Sequence, residues 1–358
     1  MTNLLRLLPH ELDGLMATFD APRYRAGQIL DAIYRGDAAS IDELRLLPAA
    51  LRRRISTAGF ELSLPDPVRT AVSEDGTTTK VLLRFADGTL IETVLMQYPE
   101  KGHHPRSTVC VSSQAGCAMG CVFCATGQMG FERNLRAEEI VAQVLFMQRL
   151  LRARGEHVTN VVFMGMGEPL ANYAGTVRAI RALVDSRALG LSHRSVTVST
   201  VGVIRGIDRL AAEDLDVRLA ISLHAPDDEL RRRLVPVSSS QSVRDIVAAA
   251  RRYYRRTGRR VTIEYALIDG VNDQDEHARS LAALLDGIGV HVNLIPLNPT
   301  SGPVRRPSRS RMRAFQRILE GAGVNCTIRA EKGVEISAAC GQLRTDEVRV
   351  IASGLPSR

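Results

Sequence analysis

From Thr108 onward the chain alternates short, β-branched apolar runs with longer amphipathic ones, and this alternation constrains the fold more than any other feature. The short runs are TVCVSS, NVVFMG, SVTVST, VRLAISLH, VTIEYALI, VHVNLIPL and VNCTIRA. Between them lie AEEIVAQVLFMQRLL, NYAGTVRAIRALVD, SVRDIVAAARRYYRR, DEHARSLAALLDGI and SRMRAFQRILEGA. Near-continuous apolar character suits a strand buried on both faces, and apolar residues at three- and four-residue spacing suit a helix that covers it. Six or seven such βα units predict an α/β fold built as a closed or partly closed barrel, with its chemistry at the C-terminal ends of the strands.

Upstream the pattern changes. LPHELDGLMATF, APRYRAGQILDAIYRG and SIDELRLLPAALRRRIS carry helical spacing, which predicts a helical accessory domain over residues 1–60. KVLLRF and TLIETVLMQY, separated by the turn ADG, predict a β-hairpin linker over 61–105. The barrel core is expected over 106–345 and a tail over 346–358.

No apolar run approaches the roughly 18 residues a membrane span needs, and the N-terminal stretch lacks the layout of a secretory signal, so a cytoplasmic protein is expected. The net charge is +8, and Lys occurs only at Lys80, Lys101 and Lys332, so nearly all the positive charge is Arg. A planar guanidinium suits phosphate, although an Arg-heavy codon usage would give the same count. The densest basic patch is Arg251, Arg252, Arg255, Arg256, Arg259 and Arg260, with Tyr253 and Tyr254 between them. It reads either as a phosphate-binding surface or as a solvated helix face.

A cytosolic chain with six cysteines points to metal or catalysis rather than to a disulfide framework. Cys117, Cys121 and Cys124 form C-x3-C-x2-C immediately after the first expected barrel strand, on a loop. Three thiolates on one short loop can hold a cubane 4Fe–4S cluster and leave one iron open for another ligand. The competing reading is a structural zinc site completed by Cys340 or a His, in a non-enzymatic RNA-binding protein, although zinc loops favour paired C-x2-C halves.

VSSQAGCAMGCVFCATGQMGFERNL, FMGMGEPLAN, SLHAPDDELRRRLVPV, NLIPLNP and AACGQL, in this order, resemble the RlmN/Cfr family of radical S-adenosylmethionine (SAM) RNA methyltransferases. The resemblance implies a radical SAM partial (β/α)6 barrel with an N-terminal helical accessory domain that engages RNA and a β-hairpin lead-in. It implies a 4Fe–4S cluster on Cys117, Cys121 and Cys124, and SAM, two molecules per turnover, bound by Gly167, Glu168, Ser199, Ser222, Leu223, His224 and Asn298. Cys340 corresponds to the cysteine that carries a methyl group. Cys110 corresponds to the thiol that resolves the protein–RNA adduct and forms a disulfide with Cys340, and Glu92 to the proton acceptor. Cys326 matches no functional position and is expected in the core. Adenine C2 is electron-poor, so the implied route is radical: a deoxyadenosyl radical takes hydrogen from methyl-Cys340, and the resulting carbon radical adds to the base.

The implied substrate is an adenine of 23S ribosomal RNA, methylated at C2, together with the adenine next to the anticodon in some tRNAs. A flavodoxin or ferredoxin is the implied electron donor. Cfr-like methylation at C8 remains the alternative, because the two branches share these motifs and TIRAEKG departs from the RlmN-like RKTRG.

Overall fold

The structure is a computed structural model that describes residues 1–98, 105–237, 241–298, 304–329 and 332–343. The expected tail, 346–358, lies outside the described residues, as do parts of the basic SGPVRRPSRSRMR loop and of TIRAEKG.

The N-terminal part comprises β1 (Thr2–Asn3), α1 (Pro9–Thr18), α2 (Tyr24–Leu30), α3 (Ala49–Thr57) and β2 (Phe60–Glu61), with β1 and β2 paired in parallel. Helix α1 begins at Pro9, where a missing N–H costs nothing, and Glu11 accepts from the Leu8 N–H at 2.8 Å. The third helical stretch is split. A 3-10 turn at Ile41–Glu43 is followed by α3 only from Ala49, because Pro48 has no N–H to continue a helix through it.

Three antiparallel strands follow: β3 (Asp66–Val72), β4 (Thr78–Arg84) and β5 (Leu90–Tyr98). The expected hairpin is thus a three-stranded meander, and it is continuous with the barrel sheet. Strand β5 pairs antiparallel with β6 (Arg106–Cys110), placing Val94 opposite Cys110. The reason is burial: Leu90 to Met96 are covered on both faces, which an edge strand could not achieve.

The remaining elements are β7 (Gln114–Gly116), α4 (Ala125–Met129), β8 (Phe131–Asn134), α5 (Ala137–Arg152), β9 (Asn160–Phe163), α6 (Tyr173–Val184), β10 (Val196–Thr200) and α7 (Ile204–Ala212). They continue with β11 (Arg218–Ser222), α8 (Asp228–Leu234), α9 (Val243–Thr257), β12 (Val261–Leu267), α10 (Asp275–Leu285), β13 (Val290–Pro296), α11 (Arg309–Gly321) and β14 (Asn325–Ile328). The main sheet runs β3-β4-β5-β6-β9-β10-β11-β12-β13-β14, and every pairing from β6 onward is parallel. All seven expected barrel strands are present, in chain order. Because β3 and β14 are not bonded to each other, the α/β barrel is partial.

The larger of two apolar clusters among the described residues joins Leu12, Met16, Ile29 and Ile55 of the N-terminal helices to the barrel strands and to Cys326, and a smaller one packs Cys121 against Ala225, Leu230, Leu234 and Ile268. At the surface, ion pairs Arg187–Asp13 (3.0 Å) and Arg152–Asp37 (2.7 Å) fasten the N-terminal helices to the flank of the barrel. Helix α9 is capped by Ser242, whose Oγ accepts from the Asp245 N–H at 3.0 Å, and it ends at Gly258 in the left-handed region. No helix among the described residues is long and apolar enough to cross a membrane.

Candidate active site

The C-terminal ends of β9 to β13, the cysteine loop and the 340–341 segment enclose a cavity with about 950 Å³ of free space, open mouth included. Cys117, Cys121 and Cys124 line it, as do Gly167, Glu168, Ser199, Ser222, His224, Asn298 and Cys340. Leu223 does not: its side chain is fully buried in the core, and its N–H donates to the Glu264 carbonyl at 3.0 Å. Cys110 lines a smaller adjoining cavity that also includes Cys340, Asn298 and Arg329. Glu92 lines neither of these two cavities. It is buried on β5 in an ion pair with Lys80 Nζ at 2.8 Å, and Lys80 also donates to the Ser337 carbonyl at 3.3 Å, three residues before Cys340.

Local chemistry explains why the cysteine loop takes this path. The Gln143 side chain clasps both backbone groups of Ser112, accepting from its N–H at 2.8 Å and donating to its carbonyl at 3.0 Å. Asn172 Nδ2 bridges the carbonyls of Ser113 and Leu135. At Gly116 the backbone is left-handed and a Cβ would lie 2.0 Å from the Gly130 carbonyl oxygen, so only glycine allows β7 to approach β8 this closely. The Cys117 N–H then donates to that same carbonyl at 2.8 Å, and the Val122 N–H to the Leu234 carbonyl at 3.1 Å.

The Cys340 segment is fastened directly to this loop. The Ala125 N–H donates to the Gly341 carbonyl at 2.7 Å and Thr126 Oγ1 to the Leu343 carbonyl at 2.6 Å, while Asn298 Nδ2 donates to the Cys340 carbonyl at 3.0 Å. Residues more than two hundred positions apart therefore share one wall.

Burial sets the electrostatics. Glu168 accepts from the N–H groups of Leu170 and Val201 at 2.9 and 2.8 Å, yet burial outweighs these bonds and pushes its carboxyl up to about 7. At Gly167, φ +97°, a Cβ would lie 2.5 Å from the Cβ of Gln114, so only glycine fits there, and the Gln114 side chain accepts from the Glu168 N–H at 2.8 Å. His224 is held at φ +63°, and its Nδ1 accepts from the Ala266 N–H at 3.0 Å, which leaves the ring proton on Nε2. Burial, and then the Arg231 guanidinium, lower its pKa to about 3. Arg231 is itself buried and donates to the carbonyls of Ser222, Leu223 and Val201, tying together the ends of β10 and β11. Burial raises the thiols of Cys117, Cys121 and Cys124, that of Cys117 to about 11; through charge, Cys124 raises both of the others, Cys117 adds to the rise of Cys121, and Cys340 adds to that of Cys124. The Cys110 thiol rises to about 12, chiefly by burial.

The residues present fit a sulfur-bound cluster and a polar cofactor beside it. Three thiols on one loop face one cavity, although among the described residues no three His, Cys, Asp or Glu groups are already drawn together as a ligating set. Two buried acceptors on the same cavity, Glu264 Oε2 and Asn298 Oδ1, have no hydrogen-bond partner among the described residues, as expected of a site built to receive donors from a ligand.

The disulfide expected from the resemblance is not formed. All six cysteines are free thiols, with Cys110 enclosed at the end of β6 and Cys340 on the separate segment fastened to the cysteine loop. The sequence reading missed Gln114, Arg231, Glu264 and Arg329. Arg231 stands within SLHAPDDELRRRLVPV, but nothing in a run of three arginines marks which one turns inward. The basic patch lies far from the cavity: Arg259 and Arg260 precede β12, whereas the cavity uses residues from Glu264 onward, towards the other end of that strand. Arg252 pairs with Asp208 at 2.9 Å, Arg259 pairs with Asp216, and Tyr253 is buried with its hydroxyl donating to the Val217 carbonyl.

A sequence model of the radical SAM superfamily matches residues 111–282, the stretch that carries the cysteine loop and the cavity floor. A crystal structure of a radical SAM methyltransferase from Sphaerobacter thermophilus superposes with a TM-score of 0.91 at 50% identity, covering 96% of this chain and 99% of that one. Fold and site thus define a radical SAM enzyme. The ribosomal RNA large subunit methyltransferase N of Nitrosopumilus maritimus is 56% identical over 97% of this chain and 100% of its own length. A probable dual-specificity RNA methyltransferase RlmN of Chloroflexus aurantiacus is 48% identical over 93% of this chain and 90% of its own length. The chain therefore belongs to the RlmN family of radical SAM RNA methyltransferases. That membership implies a 4Fe–4S cluster and SAM, and it sets aside the reading of a non-enzymatic zinc protein.

Proposed function

We propose that this enzyme methylates C2 of an adenine in 23S ribosomal RNA, and the adenine next to the anticodon in some tRNAs, through a methyl group carried on Cys340. The observation that carries this reading is the enclosure of Cys340 in the same cavity as the three loop cysteines, with a second free thiol, Cys110, in the adjoining cavity. A methyltransferase that passed its methyl group directly from SAM to RNA would need neither thiol.

Cys117, Cys121 and Cys124 hold the cluster, and Gly167, Glu168, Ser199, Ser222, His224 and Asn298 hold SAM, with Leu223 contributing backbone alone. Together the two groups supply one-electron chemistry strong enough to activate an unreactive C–H bond. The chain's own part is to present the carbon carried on Cys340 sulfur to the base, to accept the C2 proton, and to let the Cys110 sulfur attack the Cys340 sulfur, so that the sulfur–carbon bond to the methylated base breaks as a Cys110–Cys340 disulfide forms; a thiol or dithiol reductant then returns that disulfide to the two free thiols. Glu92 is the proposed acceptor. Its pairing with Lys80, which also grips the Ser337 carbonyl, ties it to the Cys340 segment. The reading requires two SAM molecules per turnover as co-substrates and an electron donor such as flavodoxin or ferredoxin. The helices of residues 1–60 engage the RNA.

The test is mass spectrometry of nucleosides from 23S rRNA incubated with the enzyme under reducing, anaerobic conditions. The reading expects 2-methyladenosine. Exclusive formation of 8-methyladenosine would assign the chain to Cfr-type chemistry, and a Cys340→Ala variant with full turnover would remove the methyl-cysteine route.

A further inference from the structure

Glu264 is the one buried carboxylate at the cavity to which none of the roles above falls. Its side chain is 3% exposed, on the cavity-lining part of β12. Asn293, its register partner on β13, donates to Oε1 at 3.0 Å and fixes the carboxylate plane. Oε2 has no hydrogen-bond partner among the described residues. The Arg329 guanidinium lies 3.8 Å from it, close enough to steady a negative charge but too far to donate to it. A buried carboxylate oxygen left in this state is costly unless a ligand supplies the missing donor.

The surroundings indicate which donor. Ser222 is the register partner of Glu264 on β11, and its hydroxyl lies 3.4 Å from that of Ser199 on β10. Carboxylate and hydroxyls form a polar strip across three neighbouring strands. A carboxylate can only accept, whereas a serine hydroxyl can both donate and accept, so the strip matches a group with two adjacent hydroxyls that must each give and receive. The cluster-facing end of the cavity is served by Gly167 and Glu168, which leaves the strip for the middle of an adenosyl ligand.

We propose that Glu264 is the acceptor for the ribose hydroxyls of the adenosyl cofactor, with Asn293 and Arg329 as its positioning partners. This rests on the cofactor reading above and adds to it a residue that distinguishes a ribosyl from a deoxyribosyl ligand. Arg329 also lines the cavity of Cys110 and Cys340, so the pair spans the boundary between the cofactor and substrate chambers.

The experiment compares dissociation constants for SAM and for its 2′,3′-dideoxy analogue, by equilibrium dialysis on the cluster-loaded enzyme without reductant. Wild type should prefer the diol by roughly tenfold or more, the size expected of a charge-assisted hydrogen bond. Glu264→Ala should bring the two ligands to within about threefold of each other by weakening SAM alone, and Glu264→Gln should fall between. Visible cluster absorbance and the melting temperature check that each variant folds, and if Glu264→Ala does not, Glu264→Gln decides. An unchanged preference, or an equal loss for both ligands, overturns the proposal. So does a variant that keeps the SAM preference but binds an rRNA fragment more weakly, because the carboxylate then faces the target base. If wild type itself fails to bind SAM, the cofactor reading falls, which is a separate outcome.

Discussion

His224 gives the sharpest quantitative expectation. Its ring is buried and neutral, with Nδ1 committed to the Ala266 N–H, and its pKa is lowered to about 3 from an ordinary value of 6.5. A group whose folded-state pKa is depressed contributes stability that is fully present above the unfolded pKa and is lost as pH falls towards the folded one, because the unfolded chain takes up the proton first. The window here is therefore pH 6.5 down to 3. Each pH unit within it costs about 1.4 kcal/mol, so His224 should remove about 2 kcal/mol between pH 6.5 and 5. His224→Asn is the informative variant, since Asn tolerates the left-handed backbone, keeps an acceptor for the Ala266 N–H and does not titrate. Urea unfolding at pH 7 and pH 5, done anaerobically, should show the wild type losing about 2 kcal/mol more than the variant, with the shared carboxylate contributions cancelling. Equal losses would mean that His224 can be protonated in the folded state, and the account of a buried, neutral ring would fail.

Thr126→Val leaves the Leu343 carbonyl without its donor. It should cost about 1 kcal/mol and speed amide exchange over residues 338–343, as read by mass spectrometry. Gly167→Ala places a Cβ 2.5 Å from Gln114 on a backbone at φ +97°; SAM affinity should fall roughly tenfold or more while bound iron is unchanged. Arg255→Ala with Arg256→Ala, on the end of α9 remote from the cavity, should leave the salt dependence of rRNA binding unchanged. A slope reduced by about one per arginine would instead place phosphate there.

Much of the fold was legible because buried parallel strands announce themselves. Runs such as NVVFMG have no polar alternation to confuse with an edge strand, and all seven appear in order. The cysteine loop was legible for a similar reason: three thiols at that spacing have few other uses. What escaped was whatever depends on distant contacts. Nothing around Thr126 signals a bond to Leu343, and nothing in IEYAL distinguishes Glu264 from a solvent-facing residue. The hairpin was recognised, but not its fusion to the barrel, because an antiparallel pairing of β5 with β6 leaves no mark on either strand beyond burial. Glu92 was singled out by resemblance, whereas its tie through Lys80 to the Cys340 segment joins three separate stretches of chain and could come only from their packing.

The most direct test is whether the cysteine loop makes a working radical SAM centre. Anaerobically reconstituted enzyme, given SAM and dithionite, should release 5′-deoxyadenosine, and Cys117→Ala, Cys121→Ala and Cys124→Ala combined should abolish that release together with iron binding. Wild-type enzyme that binds iron yet yields no 5′-deoxyadenosine, or a triple variant that yields as much as wild type, would contradict the account.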